Sequence, residues 1–219
     1  MTEKDQYYRE LIVDIGKRLT EKGVVGTFEG NISAVDREAG KLYITPSGQA
    51  KEFLTPEMII ICDMDGNYIS RRDDLKSSSE TVMHAAVYKM RPDVNGVVHC
   101  HAPFCTAFAV NNTPITTKAI AEVEIMFGGE IPVLPFGEPG TVDIVAGYKD
   151  HLDKNVVLLA NHGMLAVGKD LKTAYGNTIT VEMIAKILYY SRTMGTNVDI
   201  APEELAKLPA WMSKQAARD

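Results

Sequence analysis

The chain has 219 residues, 45% hydrophobic and 24% charged, enough to bury a core without disulfide or metal staples, and disordered, collagen-like and coiled-coil classes are excluded. Its net charge of −6 argues against a nucleic-acid or anionic-membrane surface, and no apolar run approaches the roughly 18 residues of a membrane span. Cys62, Cys100 and Cys105 lack CxxC spacing and the start, MTEKDQYYRE, is no signal peptide; the expectation is a cytoplasmic chain forming one domain over 1–219, with 200–219 as its tail.

Residues 4–22 place Tyr8, Leu11, Ile12, Ile15 and Leu19 at helical spacing, and Gly23 ends the run as a helix C-cap would. The GTFEGN segment at 26–31 reads as a loop. Short strands follow at 32–35, 41–45 and 59–64, the last closed by the Asp65-Gly66 turn signal. Ser77-Ser78-Ser79 is a run of N-cap residues before a helix that lasts to about Met90. A strand covers 94–99, and Pro103 suits the first turn of a third helix. Beyond it come a strand at 131–134, a helix at 142–152, and strands at 156–160 and 164–167 flanking Asn161-His162-Gly163. A long helix spans 171–194 and a short one 202–207. Hairpin-type turns and helical crossovers both occur, which implies a mixed sheet covered by helices.

The strongest chemical signal is His99-Cys100-His101 at the end of an apolar strand. Side chains alternate along a strand, so both imidazoles project from one face with Cys100 behind, and two nitrogens can reach one metal at about 2.0–2.1 Å. Alone, such a pair reads as a polar sheet edge. His162, which also follows an apolar strand, changes that balance, because strand ends converge at one edge of a sheet. Three neutral ligands leave a divalent ion room for water or substrate, the catalytic pattern. Glu80, after the serine run, is either a first-turn acid compensating the helix dipole or a fourth ligand and general base. His84, one turn later on the same face, reads as a structural or supporting group. Gly30-Asn31, Ser47-Gly48 and Ser78-Ser79 are patches of small polar residues; each is a turn or a cap by itself, and free N–H groups with hydroxyls beside them also make an anion site without lysine.

The segments GTFEGNIS, YITPSG, SSSETVMH, VVHCHAPFCTA and LLANHGMLAVG, in this order across roughly residues 5–195, resemble the class II aldolase/adducin family, and within it the L-fuculose-1-phosphate aldolases. The resemblance implies an α/β fold, a three-layer α/β/α sandwich with a mainly antiparallel central sheet. It further implies a homotetramer with active sites at subunit interfaces, and a small sugar phosphate as substrate. By the same resemblance His99, His101 and His162 hold zinc, or another divalent metal, one per subunit. Glu80 ligates it at rest and shuttles a carbon-bound proton when substrate displaces it. Gly30, Asn31, Ser47, Gly48, Ser78 and Ser79 form the phosphate cradle. The implied activity is reversible cleavage of a ketose 1-phosphate, L-fuculose 1-phosphate or a related deoxy-ketose 1-phosphate, to dihydroxyacetone phosphate and an aldehyde. The competing implications are an L-ribulose-5-phosphate 4-epimerase-like enzyme and a non-catalytic adducin-like binding module. The chain departs from the fuculose enzymes at Glu122, where they carry a tyrosine that moves the proton of the aldehyde oxygen, and in its tail, which has no tyrosine. Glu122 is thereby a candidate for that proton transfer.

Overall fold

A computed structural model describes residues 2–208 of the chain. Helix α1 (Glu3–Glu21) opens on a capping box, in which the Thr2 hydroxyl accepts from the Asp5 amide and the Asp5 carboxylate from the Thr2 amide. It buries Ile12, Ile15 and Leu19. Strands β1 (Asn31–Asp36), β2 (Lys41–Ile44), β3 (Ile60–Asp63) and β4 (Tyr68–Ser70) form a meander, with the Asp65-Gly66 turn joining the last two. Helix α2 (Thr81–Met90) leads to β5 (Gly96–Cys100), α3 (Pro103–Val110), β6 (Ile115–Thr116) and α4 (Ala121–Phe127). Then come β7 (Glu130–Ile131), β8 (Val133–Leu134), a 3₁₀ run Val142–Asp150, β9 (Val156–Leu159), β10 (Gly163–Gly168), α5 (Leu171–Met194) and α6 (Pro202–Leu205).

Eight strands make one sheet in the order β4-β3-β2-β1-β5-β10-β9-β8, antiparallel throughout except for the β8–β9 pair. One face packs Ile32, Ala34, Val98 and Cys100 against α1, α3 and α5; the other packs Val35, Val97 and Leu165 against α2 and the 3₁₀ run. This is the three-layer α/β/α arrangement expected of the sequence. Strands buried on both faces explain the near-continuous apolar runs of β5, β9 and β10.

Two expected elements differ. The strand at 131–134 is two strands, because Pro132 has no N–H for a ladder: β7 pairs with β6 in a separate two-stranded sheet, while β8 joins the main sheet. The helix at 142–152 is a 3₁₀ run, in keeping with Gly147 and the β-branched Val142, Ile144 and Val145 within it. All three cysteines are buried and free. Among the described residues no helix is long and apolar enough to cross a membrane. The tail is described only to residue 208, where α6 lies; 209–219 fall outside the described residues.

Candidate metal centre and its cavity

Strand β5 ends where β10 begins, and β1 begins beside both: Asn31 pairs with His99, and His99 with Leu165. Period-two alternation then sends Val97, His99 and His101 to one side of β5. His162 reaches the same point from the tight turn between β9 and β10. Asn161 adopts a left-handed backbone there (φ 57°), a conformation asparagine tolerates, and Gly163 follows because a Cβ would stand 2.6 Å from the Cys100 carbonyl oxygen and 2.9 Å from the His101 ring. Gly30, at φ 76°, likewise lets the chain pass the His99 carbonyl, 2.9 Å from where a Cβ would sit.

The three imidazoles converge. The Nε2 atoms of His99 and His162 are 3.0 Å apart, those of His101 and His162 3.4 Å. Four-coordinate bonds of about 2.0–2.1 Å at tetrahedral angles would space ligand nitrogens about 3.3–3.4 Å apart, so the cluster fits a divalent ion. Ring chemistry agrees. His99 Nδ1 lies 2.8 Å from the Met164 carbonyl oxygen, which can only accept, so Nδ1 carries the proton and a neutral ring presents its Nε2 lone pair. Burial, with His162 and His101 adding to it against the opposing pull of Glu80, lowers the His99 pKa to about 4; burial and His162 lower that of His101. Both rings are therefore available as neutral ligands at pH 7. His99, His101 and His162 are a three-histidine site for a divalent metal.

Glu80 is the residue before α2, and its side chain makes no capping hydrogen bond. The buried carboxylate faces the histidines instead, with Oε2 3.3 Å from His99 Nε2 and Oε1 3.1 Å from His162 Nε2. Asn31 donates to Oε2 at 2.7 Å, whereas Oε1 is buried without a hydrogen-bond partner. Burial by itself would raise the Glu80 pKa; the contacts with His162, the neighbouring His99 and the Asn31 amide outweigh it and hold the group below the usual carboxylate range. Glu80 thus sets a buried carboxylate within 3.3 Å of two of the three histidines.

Beside this cluster lies a cavity of about 220 Å³ lined by Gly30, Asn31, Ser47, Gly48, Ser78, Ser79, Glu80, His101 and His162, with Phe28, Glu29, Pro46 and Pro139. The three patches singled out from sequence thus meet in space. Backbone bonds hold them: Ser47 N–H to the Lys76 carbonyl at 2.9 Å and Ser78 N–H to the Thr45 carbonyl at 3.3 Å. Among the described residues no lysine or arginine lines the cavity; its wall offers serine hydroxyls, the Asn31 amide and the start of a ten-residue helix beside the carboxylates of Glu29 and Glu80. Phe28, Glu29 and Pro139 went unread as site residues because loops carry no periodic signal. Glu122 is elsewhere: it is exposed in the first turn of α4 and does not line this cavity. A larger hollow of about 430 Å³ between α3 and α5, next to Tyr189 and Arg192, holds no metal-ligating cluster among the described residues.

A family model described as Class II Aldolase and Adducin N-terminal domain matches residues 10–189. The chain is 31% identical over 204 residues to a 5-deoxy-D-ribulose 1-phosphate aldolase of Bacillus thuringiensis, covering 93% of this chain and 94% of that protein. It is 31% identical over 189 residues to a 3-oxo-tetronate 4-phosphate decarboxylase of Haemophilus influenzae, covering 84% and 88%. An L-fuculose 1-phosphate aldolase structure superposes with a TM-score of 0.85 at 26% identity, covering 97% of this chain and 98% of that one.

Proposed function

The chain belongs to the class II aldolase and adducin family as a metal-dependent enzyme, and from this premise we propose that it reversibly cleaves a ketose 1-phosphate to dihydroxyacetone phosphate and an aldehyde. The observation that carries the reading is the juxtaposition of a cavity lined by serines, glycines and Asn31 with three convergent histidines and the buried Glu80 carboxylate. L-Fuculose 1-phosphate and related deoxy-ketose 1-phosphates are the substrates we propose, supported by the likeness to two aldolases of such sugars. An adducin-like binding module would have no use for this site.

Zinc is the proposed metal, since its preferred coordination is met by three imidazoles with one position left for Glu80 or substrate. Held there, a divalent ion supplies Lewis acidity that lowers the cost of negative charge on the ketose fragment. The residues of the chain do the rest. Ser47, Gly48, Ser78 and Ser79, with the Gly30-Asn31 turn, bind the phosphate and fix which carbon lies beside Glu80. Cleavage passes the proton of the hydroxyl that becomes the aldehyde to a base or to solvent, breaks the adjacent carbon–carbon bond, and leaves the electron pair on the ketose fragment as an enediolate. Glu80, once it has taken up a proton from solvent with substrate bound, gives that proton to the carbon and yields dihydroxyacetone phosphate; in synthesis its carboxylate takes the same proton away. Decarboxylation, the activity named for the Haemophilus influenzae relative, leaves the same kind of charge on carbon, a charge that the proposed site would stabilise equally.

Glu122 keeps its candidate role toward the aldehyde oxygen only in an assembly where α4 of one subunit reaches the cavity of another. We propose a cytoplasmic homotetramer of this kind, each chain contributing one domain. The deciding experiment is to incubate zinc-loaded protein with a panel of ketose 1-phosphates and assay dihydroxyacetone phosphate release. Glu80→Gln, which keeps size but cannot act as a base, should lower the rate at least ~10²-fold with little change in melting temperature. No release from any member of the panel would overturn the reading.

A further inference from the structure

Glu80, His84 and Tyr88 stand at four-residue intervals on one face of the α2 segment, and Asn31 and Ser33 at a two-residue interval on the facing side of β1. The two sets interdigitate. Asn31 Nδ2 donates to Glu80 Oε2 at 2.7 Å, Asn31 Oδ1 lies 2.5 Å from His84 Nε2, His84 Nδ1 2.6 Å from Ser33 Oγ, and Ser33 Oγ 2.8 Å from the Tyr88 hydroxyl. All five side chains are buried.

The direction of every bond in this chain follows from its end. An ionised carboxylate can only accept, so the Asn31 NH₂ must face Glu80 and its carbonyl must face His84. His84 Nε2 therefore carries the proton. Burial keeps that ring neutral, with His99 adding to the effect, so Nδ1 is bare and accepts from the Ser33 hydroxyl. Ser33 in turn accepts from Tyr88, whose oxygen is engaged by the Val97 backbone. Turning the Asn31 amide over would set carbonyl against carboxylate and NH₂ against N–H at once. The amide is locked, and with it the carboxylate: Oε2 is anchored, and Oε1 is the oxygen left without a hydrogen-bond partner.

We propose that His84 is a positioning residue for Glu80, acting through Asn31 to hold the carboxylate by Oε2 and to present Oε1 as the atom that exchanges a proton with substrate carbon. His84 does not line the cavity and is not one of the three convergent histidines; its hydrogen-bonded route to Glu80 runs through Asn31. Asn31 has one N–H left for the phosphate it borders, which couples the cradle to the base through one amide. This inference rests on the reading of Glu80 as the base.

The test has two independent arms. Nitrogen-15 NMR of histidine rings should find His84 as the Nε2–H tautomer in the zinc-loaded wild type. Solvent exchange of the carbon-bound proton of dihydroxyacetone phosphate in deuterated water, followed by proton NMR, reads the base. His84→Leu should lower the maximal exchange rate about 10- to 100-fold, with zinc content and the half-saturating dihydroxyacetone phosphate concentration unchanged. His84→Gln, which places an N–H where Nε2 stood, should restore most of the rate. If the leucine variant does not fold, Ser33→Ala serves: it should admit the Nδ1–H tautomer and slow exchange several-fold. An Nδ1–H tautomer in the wild type overturns the lock. So does wild-type exchange in His84→Leu or Ser33→Ala, and so does a loss shared with zinc binding that glutamine does not rescue. Unchanged exchange in Glu80→Gln would instead remove the reading of Glu80 as base, while the tautomer arm still judges the lock.

Discussion

Two fully buried histidines make the stability of the metal-free protein sensitive to mild acid. His99 is held at a pKa of about 4 and His84 at about 3, both chiefly by burial, against 6.5 in an unfolded chain. Between 6.5 and about 4 the unfolded chain therefore binds protons that the folded chain refuses. Stability rises with pH across that window and is lost as pH falls through it. At pH 5.5 each group sits one unit below its unfolded value and above its folded one, so the two together cost about 3 kcal/mol relative to pH 7.5. Glu80 and Asp5, whose folded pKa values are lowered from 4.5 and 3.8, add to the loss only in stronger acid. The measurement is urea denaturation of chelator-treated protein at pH 7.5, 6.5 and 5.5, on wild type and His84→Gln. The wild type should lose about 3 kcal/mol and the variant about half of that. A flat profile, or equal losses in the two proteins, would refute the burial argument.

Three further outcomes follow from the site. His101→Ala should abolish zinc binding and activity together while melting of the metal-free protein shifts little, since the side chain is only partly buried; full zinc occupancy by elemental analysis would contradict this. Gly163→Ala should weaken zinc binding at least ~10-fold, because its Cβ would displace either the Cys100 carbonyl or the His101 ring; a metal titration with unchanged affinity would show that the turn absorbs the methyl group. Glu122→Gln should slow carbon–carbon cleavage while sparing solvent exchange of the dihydroxyacetone phosphate proton, and equal effects on both would remove Glu122 from the chemistry.

The layers were legible because their signals are local and repeated. The α1 and α5 segments have apolar residues at helical spacing, and β5, β9 and β10 are short apolar runs bounded by turns. Strand β4 is exposed along its length and β6 has two residues, so neither writes a burial pattern into the sequence. Pro132 was visible as a residue, but its effect, sending the two halves of one apolar run to different sheets, depends on which partners lie nearby. At the site, the histidines could be read because strand ends share an edge. The commitment of Asn31 to both Glu80 and His84 could not, since it is set by β1 lying against α2, a tertiary fact. Glu122 shows the converse: a matched position carried a role that a single chain does not place at the cavity.

The fold divides the work of the site between parts of different rigidity. His99, His162 and Asn31 sit on or next to β5, β10 and β1, central strands whose ladders are hydrogen-bonded on both sides. That edge tolerates little displacement, which suits ligands that must keep three nitrogens within a few tenths of an ångström. The far wall of the cavity comes from loops: Phe28, 67% exposed, with Glu29 before β1, and Pro139 before the 3₁₀ run. Loops change at small cost to the core, and these face whatever extends beyond the phosphate and the reacting carbon. Relatives covering most of this chain bear the names of an aldolase and a decarboxylase, so one scaffold carries more than one reaction. The division places the histidines on the rigid edge and leaves the variable loops of the far wall free to differ without any change in the sheet.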